Sequence, residues 1–220
     1  GSGKTKEEIQ NLCAKIMDFL IQNNCKVIVI ACNTATVAAL EYLKEKYSIP
    51  IIGIIDSGAK IAVQSSSLKK VAVFSTEFTA NSNAYKNTIQ KYDKDFEVTQ
   101  IACKEFCPMI ERGWEIFNDN QEILEKYTNK IPNDVDTLVL GCTHYPIIED
   151  YIKRKFNKII LDPAVELSFE LKKLLESFNI LNDNKIKKNP VFFTTGELDK
   201  FKSIAEKFLG EEIEVYKIPK

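Results

Sequence analysis

This chain has almost no excess of either charge. Its 220 residues carry 30 Lys and Arg against 31 Asp and Glu, a net charge of −1. No global field favours nucleic acid or an anionic membrane surface. Apolar runs near the ~20 residues that a membrane-spanning helix needs are missing too. The amino terminus shows no basic region followed by an apolar stretch, so no secretory signal is read there. The expected location is therefore cytoplasmic. No long Pro/Gly/Ser segment divides the chain, so any two domains must be joined by short crossings. A complete phosphate-binding loop is also lacking. Gly1-Ser2-Gly3-Lys4-Thr5 ends like one, but it has no Gly five residues before Gly3 and no strand leading in. That stretch reads as a loop entering a helix, with Thr5 as N-cap and Glu8 three residues on.

What is present is ordinary material for a globular core: 45% hydrophobic and 28% charged residues. Six cysteines occur: Cys13, Cys25, Cys32, Cys103, Cys107 and Cys142. An even count marks disulfide frameworks in small secreted chains. This chain is larger and shows no export signal, so reduced thiols are expected. Cys13 falls on the apolar side of a predicted helix and reads as a core residue. Cys25 has no evident role.

Strands and helices alternate along the chain. Helices are predicted over 5–22, 34–47, 58–64, 81–92, 106–114, 120–130, 164–178 and 198–208, with one more after Tyr145-Pro146. Strands are predicted over 27–31, 51–55, 71–74, 97–102, 137–140, 158–161, 191–194 and 213–217. This rhythm argues for an α/β fold, layered, with mainly parallel sheets. Crossings near Asp56 and Asp162-Pro163 would divide it into residues 1–55 plus 168–220 and residues 56–167.

Two segments read alike. Val27-Ile28-Val29-Ile30-Ala31-Cys32-Asn33-Thr34 and Thr137-Leu138-Val139-Leu140-Gly141-Cys142-Thr143-His144 each run from an apolar strand to a small residue, a cysteine and short polar residues. Such apolar runs fit strands buried on both faces. Their carboxyl ends are where open α/β sheets bind ligands. Cys32 would open a helix, where the dipole and backbone N–H groups favour thiolate. His144, the only histidine, lies two residues from Cys142 and could tune that thiol or carry a proton itself. Two thiols presented alike from two halves suggest facing acid/base groups, the arrangement a racemase needs. Read blandly, both cysteines are core, Asn33 and Thr34 are caps, and His144 is a surface residue.

Other segments are less pointed. Ser75-Thr76-Glu77-Phe78-Thr79 also follows a strand; its hydroxyls could hold a carboxylate or merely cap a helix. Cys103, Cys107 and His144 do not have a zinc-motif spacing and leave a fourth ligand unassigned, so no metal site is expected. Glu111 reads as solvated unless the fold turns it into a cleft. Asp56-Ser57-Gly58 reads as a turn after a strand.

Ala31-Cys32-Asn33-Thr34-Ala35 together with Gly141-Cys142-Thr143-His144-Tyr145-Pro146 closely resembles the glutamate racemases of the aspartate/glutamate racemase superfamily. The resemblance runs almost end to end, through Ser75-Thr76 with Thr79 and Ser82, Ala102-Cys103 with Pro108 and Glu111, Asp162-Pro163-Ala164, and Phe193-Thr194-Thr195-Gly196. It implies two α/β domains related by a pseudo-twofold, with the active site in the cleft between them. It implies cofactor-independent racemisation of glutamate, supplying D-glutamate for peptidoglycan, in a cytoplasmic homodimer that engages neither nucleic acid nor membrane. Cys32 would serve one face of the α-carbon and Cys142 the other, with His144 assisting Cys142. Asn33, Thr34, Thr76, Thr79, Glu111 and Thr143 would hold the substrate. His144 stands where aspartate racemases usually carry Glu, which favours glutamate. The family's amino-terminal Asp-Ser-Gly strand and Pro-Tyr-Gly loop have no counterpart in these 220 residues. The alternatives are a racemase of aspartate or another amino acid, and a binding or regulatory protein that kept the cleft without turnover.

Overall fold

A computed structural model describes residues 3–182 and 188–218. Its contacts divide it into a unit spanning 1–180 and a second spanning 181–220.

The first unit opens with helix α1 (Lys6–Gln22), strand β1 (Ile28–Ile30), α2 (Asn33–Lys46), β2 (Ile51–Gly53) and α3 (Ile54–Ser65). It continues with β3 (Lys70–Ser75), α4 (Glu77–Asn81), α5 (Ala84–Tyr92), β4 (Glu97–Ala102), α6 (Phe106–Arg112) and α7 (Asn120–Thr128). It closes with β5 (Thr137–Gly141), α8 (Glu149–Lys155), β6 (Ile159–Leu161) and α9 (Pro163–Ser177). Two 3-10 turns, Trp114–Ile116 and Tyr145–Ile148, interrupt the helices. The second unit holds β7 (Phe192–Thr194), α10 (Leu198–Leu209) and β8 (Val215–Lys217).

Every strand pair is parallel. β1 pairs with β2, β7 with β8, and a four-stranded sheet runs in the order β4-β3-β5-β6. The expected α/β class with parallel sheets is thus what forms. The apolar run of β5 is buried on both faces, as predicted, and that of β3 is too, whereas β1, expected to be buried alike, is buried only at Ile28 and half-buried at Val29 and Ile30. Ala72, Phe74, Leu138 and Leu140 enter one core with Phe106, Trp114, Tyr127 and Tyr145. Val71, Val73 and Val139 point the other way, onto Ala59, Ala62, Tyr85 and Ile89. This is the alternation of a strand clad on both sides. A third core joins α1 and α2 to the β1–β2 sheet through Met17, Ala39, Leu43, Ile28 and Ile51.

Local signals set most element ends. Thr5 caps α1, its hydroxyl accepting from the Glu8 N–H while the Glu8 carboxylate accepts from the Thr5 N–H. Elsewhere tertiary packing overrides them. Asp56-Ser57-Gly58 is not a turn but lies inside α3. Ser57 is fully buried and donates to Glu170 of α9, and Lys60 one turn on pairs with Glu166 and Glu170. A Cβ on Gly58 would come within 2.8 Å of the Tyr85 ring, so glycine here serves close helix approach. The helix predicted over 81–92 begins earlier and is broken at Asn83, whose φ of +56° separates α4 from α5. Among the described residues no helix is long and apolar enough to cross a membrane.

Candidate active site

Strand register places the motifs side by side. Ser75 of β3 pairs with Ala102 of β4 on one side and Gly141 of β5 on the other. The next residues, Thr76, Cys103 and Cys142, therefore leave the sheet in one row at its carboxyl edge, where open parallel sheets place their ligands. In the smaller sheet Ile30 pairs with Gly53, and Cys32 follows as the N-cap residue of α2. These edges share a cavity of about 660 Å³, the size of a small-molecule site. It is lined by Cys32, Asn33, Thr34, Thr76, Glu111, Cys142, Thr143 and His144. Every residue expected at the site lines it except Thr79, which is fully buried and reaches it through its neighbours' hydroxyls.

The two expected cysteines differ. Cys32 is exposed at the start of α2, beside the free N–H groups of its first turn. Cys142 is 7% exposed and lies 3.5 Å, sulfur to sulfur, from Cys107. These two thiols titrate as a pair. The S–H of Cys142 supports a thiolate on Cys107 and draws that group below the usual thiol range. The same contact, reinforced by burial, pushes Cys142 up. One proton of the pair is thus lost below the usual thiol range and the other is held above it.

Cys142 is fixed from three directions. Gly141 before it packs so closely that a Cβ would come within 2.9 Å of the Phe74 carbonyl oxygen. The 3-10 turn after it begins with the Tyr145 N–H donating to the Cys142 carbonyl. The Tyr145 hydroxyl donates to the Cys103 carbonyl, and its ring meets Phe106 edge-on. His144 spans the gap between sulfur and carboxylate. Its Nδ1 lies 3.8 Å from the Cys142 sulfur and its Nε2 lies 3.4 Å from Glu111 Oε1. Glu111 is therefore turned into the cleft.

The polar wall is built on α2 and α4. Thr34 Oγ1 lies 2.8 Å from Thr76 Oγ1 and 3.4 Å from Thr79 Oγ1, and Thr76 and Thr79 are 3.2 Å apart. Thr76 also caps α4 by accepting from the Thr79 N–H. Capping and site-lining are thus one arrangement rather than alternatives. Asn33 is 2% exposed; its Oδ1 accepts from the Tyr85 hydroxyl at 2.7 Å, while its buried Nδ2 has no partner among the described residues. A buried amide donor left unpaired costs stability unless something else accepts from it.

Two residues escaped the sequence reading. Tyr85 left no local sign, since it meets Asn33 only through the fold. Cys107 has no zinc-motif spacing, and nothing local in the sequence pairs it with Cys142. A usable signal did exist: Cys107 and Glu111 stand four apart on a predicted helix and so share a face.

The Asp/Glu/hydantoin racemase family profile matches residues 3–167. The chain is 52% identical over 220 residues to a glutamate racemase of Fusobacterium nucleatum, covering 100% of this chain and 83% of that one. It superimposes on a glutamate racemase isoform of Bacillus anthracis with a TM-score of 0.92 and 36% identity, covering 99% of this chain and 82% of that one. For a glutamate racemase of Francisella tularensis, solved with D-glutamate, the TM-score is 0.89 and the identity 33%, with 99% and 82% covered. With two strand-tip cysteines opening on one cavity and a family match over three quarters of its length, the chain belongs to the Asp/Glu/hydantoin racemase family.

Proposed function

We propose that this protein is a glutamate racemase that interconverts L- and D-glutamate through two cysteines and supplies D-glutamate for the cell wall. The observation that carries the reading is that Cys32 and Cys142, 110 positions apart, open on the same small-molecule cavity. In the reaction one cysteine, as thiolate, removes the α-proton. The other, as thiol, delivers a proton to the opposite face of the planar carbanion, and their roles exchange in the reverse direction. A single base cannot readily serve both faces. The α-proton is a weak acid, so the developing charge must be met by fixed dipoles in a cavity of restricted water access. The unpaired Asn33 amide and the Thr34–Thr76–Thr79 hydroxyls supply such dipoles, and the Thr143 hydroxyl extends them. His144, oriented by Glu111, assists Cys142 as proton carrier.

The test is α-proton exchange and inversion of L- and D-glutamate in D2O by NMR, with aspartate run alongside. Wild type inverts glutamate with solvent deuterium at Cα. Cys32→Ser and Cys142→Ser each lower inversion by roughly 10²–10⁴-fold. Inversion at the wild-type rate by either variant refutes the two-thiol assignment. Faster exchange of aspartate than of glutamate would reassign the substrate.

The reading carries two further parts. A cytoplasmic location fits six free thiols. A homodimer is inferred from the family resemblance, and light scattering of the purified protein tests it.

A further inference from the structure

We propose that Cys107, Cys142 and His144 form a binding site for a thiophilic divalent cation of the zinc class, and that this cation switches the active site off. The binding rests on geometry alone; the switching rests on the racemase reading above.

The ligand atoms of the three residues lie within 4.8 Å of one another. Two of the three separations are 3.5 Å between the sulfurs and 3.8 Å from the Cys142 sulfur to His144 Nδ1. A tetrahedral centre with metal–sulfur bonds of about 2.3 Å and a metal–nitrogen bond of about 2.0 Å holds its ligand atoms about 3.5–3.8 Å apart. Both of these edges therefore lie within about 0.3 Å of the tetrahedral values, and the third is no longer than 4.8 Å. The imidazole is also oriented as metal-binding histidines are: Nδ1 faces the sulfurs while Nε2 faces the Glu111 carboxylate at 3.4 Å. The supports are rigid. Cys107 rides on α6 next to the buried Phe106, and Cys142 caps β5. The cavity lies beside the cluster and leaves a fourth position for water or a substrate carboxylate.

Two sulfurs and one imidazole select zinc-class or softer cations over magnesium or calcium. Binding requires both thiols to release their protons to solvent, with no change of oxidation state. The cation's two charges balance the two thiolates. No oxidant is needed, unlike a disulfide between the same sulfurs. Once bound, the Cys142 sulfur's electron pair is engaged by the metal and can neither take nor return an α-proton.

The experiment uses the whole chain, stripped with a chelator and kept reduced by a phosphine. Cobalt(II) is titrated in as a spectroscopic probe, followed by zinc with a chromophoric chelator as competitor. Expected is one cobalt per chain with thiolate-to-cobalt charge-transfer bands, displaced by zinc. Cys107→Val weakens the binding by more than the roughly 10–100-fold that loss of an outer partner costs, and Glu111→Gln weakens it within that range. Cys25→Ala leaves it unchanged. Circular dichroism confirms folding, and Cys107→Ser repeats the test should the valine variant not fold. Zinc inhibits inversion by wild type, a chelator restores it, and Cys107→Val needs at least ~10-fold more zinc for the same inhibition. Absence of charge-transfer bands, or wild-type affinity in both Cys107 variants, overturns the site. Cobalt binding without any racemisation by the metal-free protein would defeat the racemase reading and leave the site standing. Racemisation without metal binding would do the reverse.

Discussion

Replacing Tyr85 with Phe removes one oxygen atom from a fully buried residue and tests how the amide of Asn33 is aimed. The Tyr85 hydroxyl donates to Asn33 Oδ1 at 2.7 Å. Burial pushes the phenol well above its ordinary value, so it remains a neutral donor throughout the working pH range. That bond fixes which way the amide faces and presents Nδ2, which has no partner among the described residues. Loss of the bond leaves a buried carbonyl oxygen unsatisfied, a penalty of about 1–3 kcal/mol, partly offset by relaxation. A loss of about 1–2 kcal/mol corresponds to a fall of roughly 2–8 °C in Tm for a chain of this size. The freed amide also loses its preset aim. One neutral hydrogen bond is worth about 0.5–1.5 kcal/mol, which converts to a KM for glutamate roughly 2–12-fold higher. The kcat changes less if the bond to substrate is made equally in ground and transition states. Steady-state racemisation in both directions and a thermal melt check both halves. A lower Tm with an unaltered KM would show that Tyr85 only packs and that Asn33 is not aimed by it. An unaltered Tm and KM would refute the hydrogen bond itself.

Two further changes test the frame around the site. Gly141→Ala forces a Cβ to within 2.9 Å of the Phe74 carbonyl oxygen and 3.0 Å of the Tyr85 ring. Backbone cannot yield as a side-chain tip can, so urea denaturation should show a loss of about 1–3 kcal/mol, and racemisation at full folding should fall because Cys142 is displaced. Asp136 tests the fold away from the cavity. Partial burial pulls its pKa upward, but this is outweighed by donors from Ser66, the Leu68 N–H, Thr137 and Ser67, which bring it down to about 2. A lowered carboxylate contributes stability above its unfolded pKa near 3.9 and loses it as pH falls toward 2. Discounted for partial exposure, the contribution is about 1–2 kcal/mol. Asp136→Ala should therefore be weaker than wild type at about pH 7, and the gap should narrow by about pH 2–3. A gap independent of pH would show that the carboxylate charge plays no part.

The fold was legible where one face or one period decided the outcome. The run at Thr137–Leu140 fitted a strand clad on both sides and Val71–Phe74 read as a strand, and both became interior strands of the four-stranded parallel sheet. Thr5 and Glu8 announced a helix start by chemistry local to four residues. Asp56-Ser57-Gly58 misled because its turn propensity is also local, whereas the force that made it helical comes from α9, more than 100 residues away, through Glu170 and Lys60. Asn83 misled in the opposite direction: helical periodicity runs through it, but a single left-handed residue costs little for Asn and redirects the chain between α4 and α5.

The site divides along the same line. Cys32, Cys142 and their polar neighbours were readable because a strand end is visible in sequence and parallel sheets gather their strand ends at one edge. Sequence could not say which other groups the register would deliver to that edge. Cys107 stands 35 positions from Cys142 and meets it only because Ser75 pairs with both Ala102 and Gly141, aligning the β4 and β5 exits on the two sides of β3. A slip of one residue in either pairing would turn the exiting side chains to opposite faces of the sheet and separate the sulfurs. The register fixes two things together: it sets Cys142 on the cavity and puts a second thiol against it. That second thiol is not required by the proposed two-base reaction, which would need only Cys32 on the other face. Its presence 3.5 Å away makes Cys142 one half of a proton-sharing pair, so the chemistry of this face is set by Cys107 as well as by the burial and the imidazole that the sequence already suggested.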